Sequence, residues 1–112
     1  MADLLGTFEQ AVLLAILRLS EDAYGRAILR QVQTSLGRNV VAGAVYTTLD
    51  RLETKGLVKT WMGDPTPQRG GRPKRMVRVT ASGVQAAREF YSAVTRASRG
   101  VAWEAQRAGV RP

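Results

Sequence analysis

Two amphipathic segments in tandem, each followed by a glycine, constrain the fold of this 112-residue chain more than any other feature. The first carries apolar residues at four-residue steps: Tyr24, Ile28, Val32 and Leu36. The second has its apolar face at Val45, Leu49 and Leu52. This spacing predicts helices over about 23–36 and 42–55, with Gly37 and Gly56 in the left-handed conformation that often ends helices. The short connection between them is typical of a helix-turn-helix.

Further elements are predicted on both sides of this pair. Apolar residues at helical spacing predict a preceding helix over about 8–19. β-branched and apolar residues at 57–61 and 76–80 predict a hairpin with a long tip, and Thr80 or Ser82 is expected to cap a last helix that continues to about residue 108, with Gly100 bending or weakening it. The order predicts a mainly α fold with a small β-hairpin wing, a winged helix-turn-helix.

The charge of the chain is strongly positive and unevenly distributed. Seventeen Lys and Arg against nine Asp and Glu give a net charge of +8. No acidic residue occurs between Asp64 and Glu89, whereas that interval holds Arg69, Arg72, Lys74, Arg75, Arg78 and Arg88. Such a local patch favours a polyanionic partner.

Small and polar residues on the free face of the second amphipathic helix indicate a surface that reads the major groove, and the basic hairpin indicates contacts with phosphates or a narrow minor groove. Tyr46 is expected both to cover the helix flank and to donate to a phosphate. The predicted DNA-binding residues are Asn39, Gly43, Ala44, Tyr46, Thr47, Arg51, Arg69, Arg72, Lys74 and Arg75. An alternative is an RNA-binding winged-helix module, because phosphate attraction does not distinguish the two polymers.

The last helix carries an apolar stripe too long for one small core to cover, which predicts a homodimer interface together with some packing on the first helix. The interface residues are expected to be Ala87, Phe90, Val94, Ala97 and Val101. Trp103 lies off the stripe, as a rim residue or a ligand contact.

Several function classes are disfavoured. The chain has no His and no Cys, so the commonest general base, the thiol nucleophile and most transition-metal ligands are missing. We expect neither an enzyme nor a bound cofactor or metal. The apolar run over 11–17 is too short to span a bilayer, so a cytoplasmic protein without a membrane partner is expected.

The chain resembles the PadR family of transcriptional regulators over roughly residues 5–85. The resemblance rests on Tyr24-Gly25, on the run from Gly43 to Glu53 (GAVYTTLDRLE) with Lys55-Gly56-Leu57 after it, on RGGRPK from Arg69 to Lys74, and on the hairpin exit from Thr80 to Gly83. It implies a dimeric repressor on a pseudo-palindromic double-stranded operator, with residues 1–80 binding DNA and 81–112 forming a dimerisation helix.

Short members of this family also bind small aromatic effectors, which implies an effector site at Phe90, Val94 and Trp103. Two positions depart from the family pattern. Val41 stands where a serine often caps the third helix, and Val94 stands where some members have a stacking tryptophan.

Overall fold

The computed structural model describes residues 4–64 and 73–104 as four helices and one antiparallel hairpin. The elements are α1 (Thr7–Leu19), a 3-10 turn (Ser20–Asp22), α2 (Gly25–Leu36), α3 (Ala42–Thr54), β1 (Val58–Met62), β2 (Arg75–Val79) and α4 (Ala81–Ser98). The predicted mainly helical fold with a hairpin wing is confirmed.

Helix α1 is the central element of the core. It contacts α2, α3, β2 and α4, and its residues Val12, Leu13 and Ile16 are almost completely inaccessible to solvent. The other elements each contribute buried apolar side chains toward it: Ile28 and Val32 from α2, Val45, Leu49 and Leu52 from α3, Val58 and Val77 from the hairpin, and Ala87 from α4. The wing and both helices of the helix-turn-helix therefore share one hydrophobic core.

Both predicted glycine stops are confirmed. Gly37 has φ 64° and its N–H donates to the Gln33 carbonyl at 2.9 Å. Gly56 has φ 76°, and the N–H of Leu57 donates to the Leu52 carbonyl at 2.9 Å. A side chain at either position would be strained in this conformation, so the two glycines fix where α2 and α3 end.

The start of α2 differs from the sequence prediction. The helix begins at Gly25 rather than near residue 23, because Ala23 and Tyr24 are extended and pair with β2. The Val77 N–H donates to the Ala23 carbonyl at 3.0 Å, and Tyr24 forms a bridge with Met76. These two residues tie the wing to the helix-turn-helix.

Register separates the hairpin into two faces. Val58 lies opposite Val79 and Thr60 opposite Val77, and this face packs on the core; Lys59 lies opposite Arg78 and Trp61 opposite Met76 on the other face. The strands begin and end within one residue of the predicted bounds, which were 57–61 and 76–80.

Helix α4 is shorter than predicted. It is capped by Thr80, whose hydroxyl accepts from the Gly83 N–H at 3.1 Å and donates to the Gly56 carbonyl at 2.8 Å. The helix ends at Ser98, where Arg99 is extended and Gly100 adopts φ 76°. This interruption lies where Gly100 was expected to bend or weaken the helix, and residues 103–104 are helical again. Residues 105–112, where the prediction placed the end of this helix, lie outside the described residues.

The close approach of α4 to the start of the hairpin requires glycine at position 83, since a Cβ there would overlap the Leu57 carbonyl oxygen. We expect Gly83→Ala to lower the free energy of unfolding by about 1–3 kcal/mol through overpacking. The matched control is Gly43→Ala, where a Cβ meets no atom within 4 Å. Alanine should stabilise that helical position by up to about 1 kcal/mol. Urea denaturation at one protein concentration measures both, and an unaffected Gly83→Ala variant would contradict the contact.

Glu9 joins α1 to the end of α3. Its carboxylate is largely buried, accepts from Lys55 Nζ at 2.8 Å and accepts from the Gly6 N–H at 3.0 Å. Burial alone raises the pKa of Glu9, but these two hydrogen bonds and the charges of Lys55 and Arg51 outweigh it and hold the pKa below the ordinary value of 4.5.

A carboxyl group with a lowered folded-state pKa stabilises the fold above the unfolded-state value, and this contribution is lost as pH falls through the folded-state pKa. We expect wild type to lose more stability than Glu9→Gln on acidification from pH 6 to below 4.5, where unfolded Glu9 takes up its proton. Because Lys55 is half exposed, the difference should be no more than about 1 kcal/mol. Denaturation at several pH values tests this, and parallel curves for the two proteins would exclude the contribution of Glu9.

Candidate nucleic-acid interface

Helix α3 has one face in the core and one face in solvent. Val45, Leu49 and Leu52 are fully buried, and Thr48 is nearly so. The opposite face is exposed and contains Gly43, Thr47, Asp50 and Thr54, while Ala44 is half-buried and Arg51 is exposed. The packing thus leaves small and polar groups on a protruding helix, as a major-groove reader requires.

Tyr46 packs against the start of α2, where Gly25 leaves room for its ring. A Cβ on Gly25 would lie 2.7 Å from Tyr46 Cε1 and 3.0 Å from its hydroxyl oxygen. The tyrosine remains 39% exposed, so its ring covers the helix flank without being enclosed. This contact explains why glycine follows Tyr24: it allows α3 to approach the first turn of α2.

The turn of the helix-turn-helix places Asn39 in solvent beside Arg38. Both line a shallow open depression together with Gln33, Thr34 and Gly37. Gln33 Nε2 donates to the Val40 carbonyl at 3.0 Å and fixes the turn. Asn39 was among the predicted DNA-binding residues, whereas Arg38 was not, although its charge and its position next to Asn39 in a short connection were a usable signal. Val41 precedes α3 without any side-chain hydrogen bond, as its apolar side chain requires.

The outer face of the wing is basic. Lys74 Nζ lies 3.9 Å from the centroid of the Tyr24 ring, and the Arg78 guanidinium lies 5.8 Å from that of Trp61. Lys59 and Arg78 are directly opposite one another, an arrangement of like charges that costs free energy and that a bound anion would relieve. Lys59 and Arg78 were not among the predicted contacts. Arg69 and Arg72, which were, lie outside the described residues.

Arg75 lies between the wing and α3 rather than on the outer face. Its Nη2 is 3.0 Å from Asp50 Oδ1 and 3.4 Å from Glu53 Oε1. Thr60 on β1 completes the cluster by donating from its hydroxyl to Glu53 Oε2 at 2.7 Å. Arg75 was predicted to contact phosphates or a narrow minor groove, and its carboxylate partners were not predicted. The acidic residues on the exposed side of α3, opposite a basic hairpin, were the available signal.

The residues predicted for a dimer interface and an effector site lie in different environments. Ala87 is only 5% exposed because it packs within the chain, where its carbonyl accepts from Gln10 Nε2 at 3.0 Å. Phe90 is half-buried, Ala97 is exposed, and Val94 and Val101 are 47% and 40% exposed. Trp103 lies beyond the end of α4 and is also exposed. The single chain leaves this stripe largely uncovered after its first turns.

Residues 4–64 and 73–104 contain no cluster of three or more acidic, His or Cys residues suited to a metal ion. None of the helices in these ranges has the length and apolar character needed to cross a membrane.

Solved structures of several regulators are similar to this chain. A PadR family transcriptional regulator from Eggerthella lenta is 27% identical with a TM-score of 0.64, covering 80% of this chain and 75% of its own. RosR of H. salinarum is 25% identical with a TM-score of 0.67, covering 93% of this chain and 86% of its own. A PadR-like regulator from Bacillus cereus, at 20% identity and a TM-score of 0.69, covers 83% of this chain and 85% of its own and shares the fold.

No curated protein matches the chain. The family model described as "Transcriptional regulator PadR-like family" matches residues 13–89, which include the helix-turn-helix, the wing and the first turns of α4. Members of this family are DNA-binding regulators and not enzymes. The chain belongs to the PadR-like family of transcriptional regulators.

Proposed function

We propose that this protein is a sequence-specific regulator of transcription that binds double-stranded DNA as a homodimer and represses. The observation that supports it best is the combination at α3: an apolar face locked completely into the core, and a polar face left in solvent beside a basic wing. Residues 1–80 would bind DNA, and residues 81–112 would dimerise. The rigid docking of α3 matters because base-edge hydrogen bonds need a fixed helix.

The roles of the DNA-binding residues divide by chemistry. Gly43, Ala44 and Thr47 are on or beside the polar face of α3, where small side chains allow close approach to base edges. Tyr46, Asn39 and Arg51 flank that face and are suited to phosphate contacts. Lys74, with Arg69 and Arg72 of the wing tip, supplies charge that is independent of sequence.

An uncovered apolar surface supports the homodimer. Leu14 and Leu17 on α1 are 45% and 43% exposed, and Tyr91 and Val94 on α4 are exposed as well. The Gln10 side-chain oxygen, between these helices, is buried and accepts no hydrogen bond from the described residues. A second copy covering α4 would remove this apolar area from water and would present two α3 helices to a pseudo-palindromic operator with half-sites roughly 34 Å apart.

A small aromatic effector that relieves repression would bind within such a dimer. Phe90, Val94 and Trp103 offer apolar surface but do not enclose a ligand in one chain, because Val94 and Trp103 face solvent. With valine at position 94, apolar contact rather than ring stacking would hold the effector there.

The division between reading and anchoring is testable with Thr47→Ala and Lys74→Gln. Selection from random duplexes first yields the preferred site; anisotropy titrations at several salt concentrations then compare that site with a scrambled one. Thr47→Ala should weaken the preferred site at least fivefold more than the scrambled one. Lys74→Gln should weaken both alike and reduce the salt slope by about 0.9.

Equal loss on both duplexes with both variants would contradict this division. Structured RNA that competes as well as the selected duplex would contradict the DNA assignment itself.

The dimer is testable with Val94→Glu, which places a charge on the uncovered stripe. We expect at least a tenfold rise in the dimer dissociation constant by analytical ultracentrifugation, because an unpaired carboxylate would be desolvated. Thr95→Glu adds the same charge at the neighbouring exposed position of α4 and should leave the dimer intact. Equal effects of the two substitutions, or none, would argue against this interface.

A further inference from the structure

The two carboxylates that Arg75 contacts between the wing and α3, those of Asp50 and Glu53, accept different numbers of hydrogen bonds. Both oxygens of Glu53 are engaged, Oε1 by Arg75 and Oε2 by the Thr60 hydroxyl. Asp50 uses only Oδ1, toward Arg75, and Oδ2 accepts no hydrogen bond within the described residues. The Asp50 side chain is 67% exposed. One acceptor oxygen of the cluster therefore remains available to a ligand.

That oxygen lies on the surface of α3 proposed to read bases. Asp50 shares the exposed face with Gly43 and Thr47, at helical spacings of seven and three residues. Arg75 holds the side chain from the wing, so the carboxylate has a preferred orientation instead of rotating freely.

The electrostatics of the cluster favour specificity over affinity. Arg75 carries one positive charge against the two negative charges of Asp50 and Glu53, which leaves the cluster net negative beside a polyanion. A carboxylate near DNA is repelled by phosphates and by base acceptors, and it is compensated only when it meets a donor. The donors in the major groove are the exocyclic amino groups of cytosine and adenine.

We propose that Asp50 is a specificity-determining residue that accepts a hydrogen bond through Oδ2 from an exocyclic amino group in the major groove, and that Arg75 is a positioning residue for it. The inference rests on the proposed binding of duplex DNA. Arg75 thus acts through Asp50, and its guanidinium pairs with carboxylates of α3 rather than with a phosphate.

The test begins with sequence selection by wild type, Asp50→Ala and Glu53→Gln. Asp50→Ala should lose about five- to tenfold of base preference at one position in each half-site. Glu53→Gln, whose oxygens are already occupied, should keep the preference at that position. At the position identified, cytosine is then replaced by its analogue without the 4-amino group, or adenine by purine. The affinity of wild type for this modified duplex should fall by the same factor that Asp50→Ala loses in base preference. The affinity of Asp50→Ala should not change with the analogue.

The base that responds distinguishes cytosine from adenine as the donor. Unchanged preferences in Asp50→Ala, or an analogue that weakens both proteins equally, would overturn the inference while leaving DNA binding intact. Failure of wild type to enrich any sequence would instead overturn the proposed function, and this inference with it.

Arg75 is tested by Arg75→Gln and Arg75→Lys in the same selection and in salt titrations. The glutamine variant should lose preference at the Asp50 position, the lysine variant should restore part of it, and the salt slope should match wild type in both. A slope lower by about 0.9 in Arg75→Gln would place the guanidinium on a phosphate and refute the positioning role. Circular dichroism melting confirms that each variant is folded before binding is measured.

Discussion

Burial of α1 against the other three helices and β2 is the contact on which this structure depends. A chain of this length has a small core, and α1 supplies the apolar surface on which α2, α3, β2 and α4 all pack. The same core fixes the orientation of the polar face of α3, because Val45, Leu49 and Leu52 are buried in it where α3 packs on α1, α2 and β1. A substitution in the interior of α1 would therefore shift α3 and weaken its contacts with DNA, although α1 itself does not contact DNA.

The wing is attached to the helix-turn-helix by two kinds of contact. On one side, the backbone of Ala23 and Tyr24 pairs with β2. On the other, Arg75 and Thr60 reach the acidic residues of α3. The backbone pairing joins the hairpin to the start of α2, whereas the ion pairs join it to α3 and remain sensitive to ionic strength because they are largely exposed. The wing should therefore be less firmly oriented in high salt even in the absence of DNA.

The helices and their glycine stops could be predicted from the sequence because period and stop signals are local. Tyr24 could not be placed, since its apolar spacing continues that of α2 while its backbone pairs with a strand more than fifty residues later. The apolar stripe continues past Gly100, so the sequence predicted one helix weakened there, whereas the structure interrupts the helix completely between Ser98 and Trp103.

Part of the candidate site could also be predicted from the sequence. The exposed face of α3 followed from the positions of its buried residues, and the basic wing followed from charge. The ion pairs of Arg75 did not follow, because its partners Asp50 and Glu53 lie more than twenty residues away and nothing local links them. Likewise, Ala87 continued the stripe in sequence, but the approach of Gln10 from α1 buries it within the chain.

Thr80 connects the end of α3 and the start of the hairpin to the start of α4. Its N–H donates to the Leu57 carbonyl, its hydroxyl donates to the Gly56 carbonyl, and the same hydroxyl caps α4 through Gly83. Gly83 packs directly against Leu57 at the same place. We therefore expect the wing, α3 and the first turns of α4 to move as one rigid unit. In a dimer, a change in the separation of the two α3 helices would come from rotation of whole protomers about their contact.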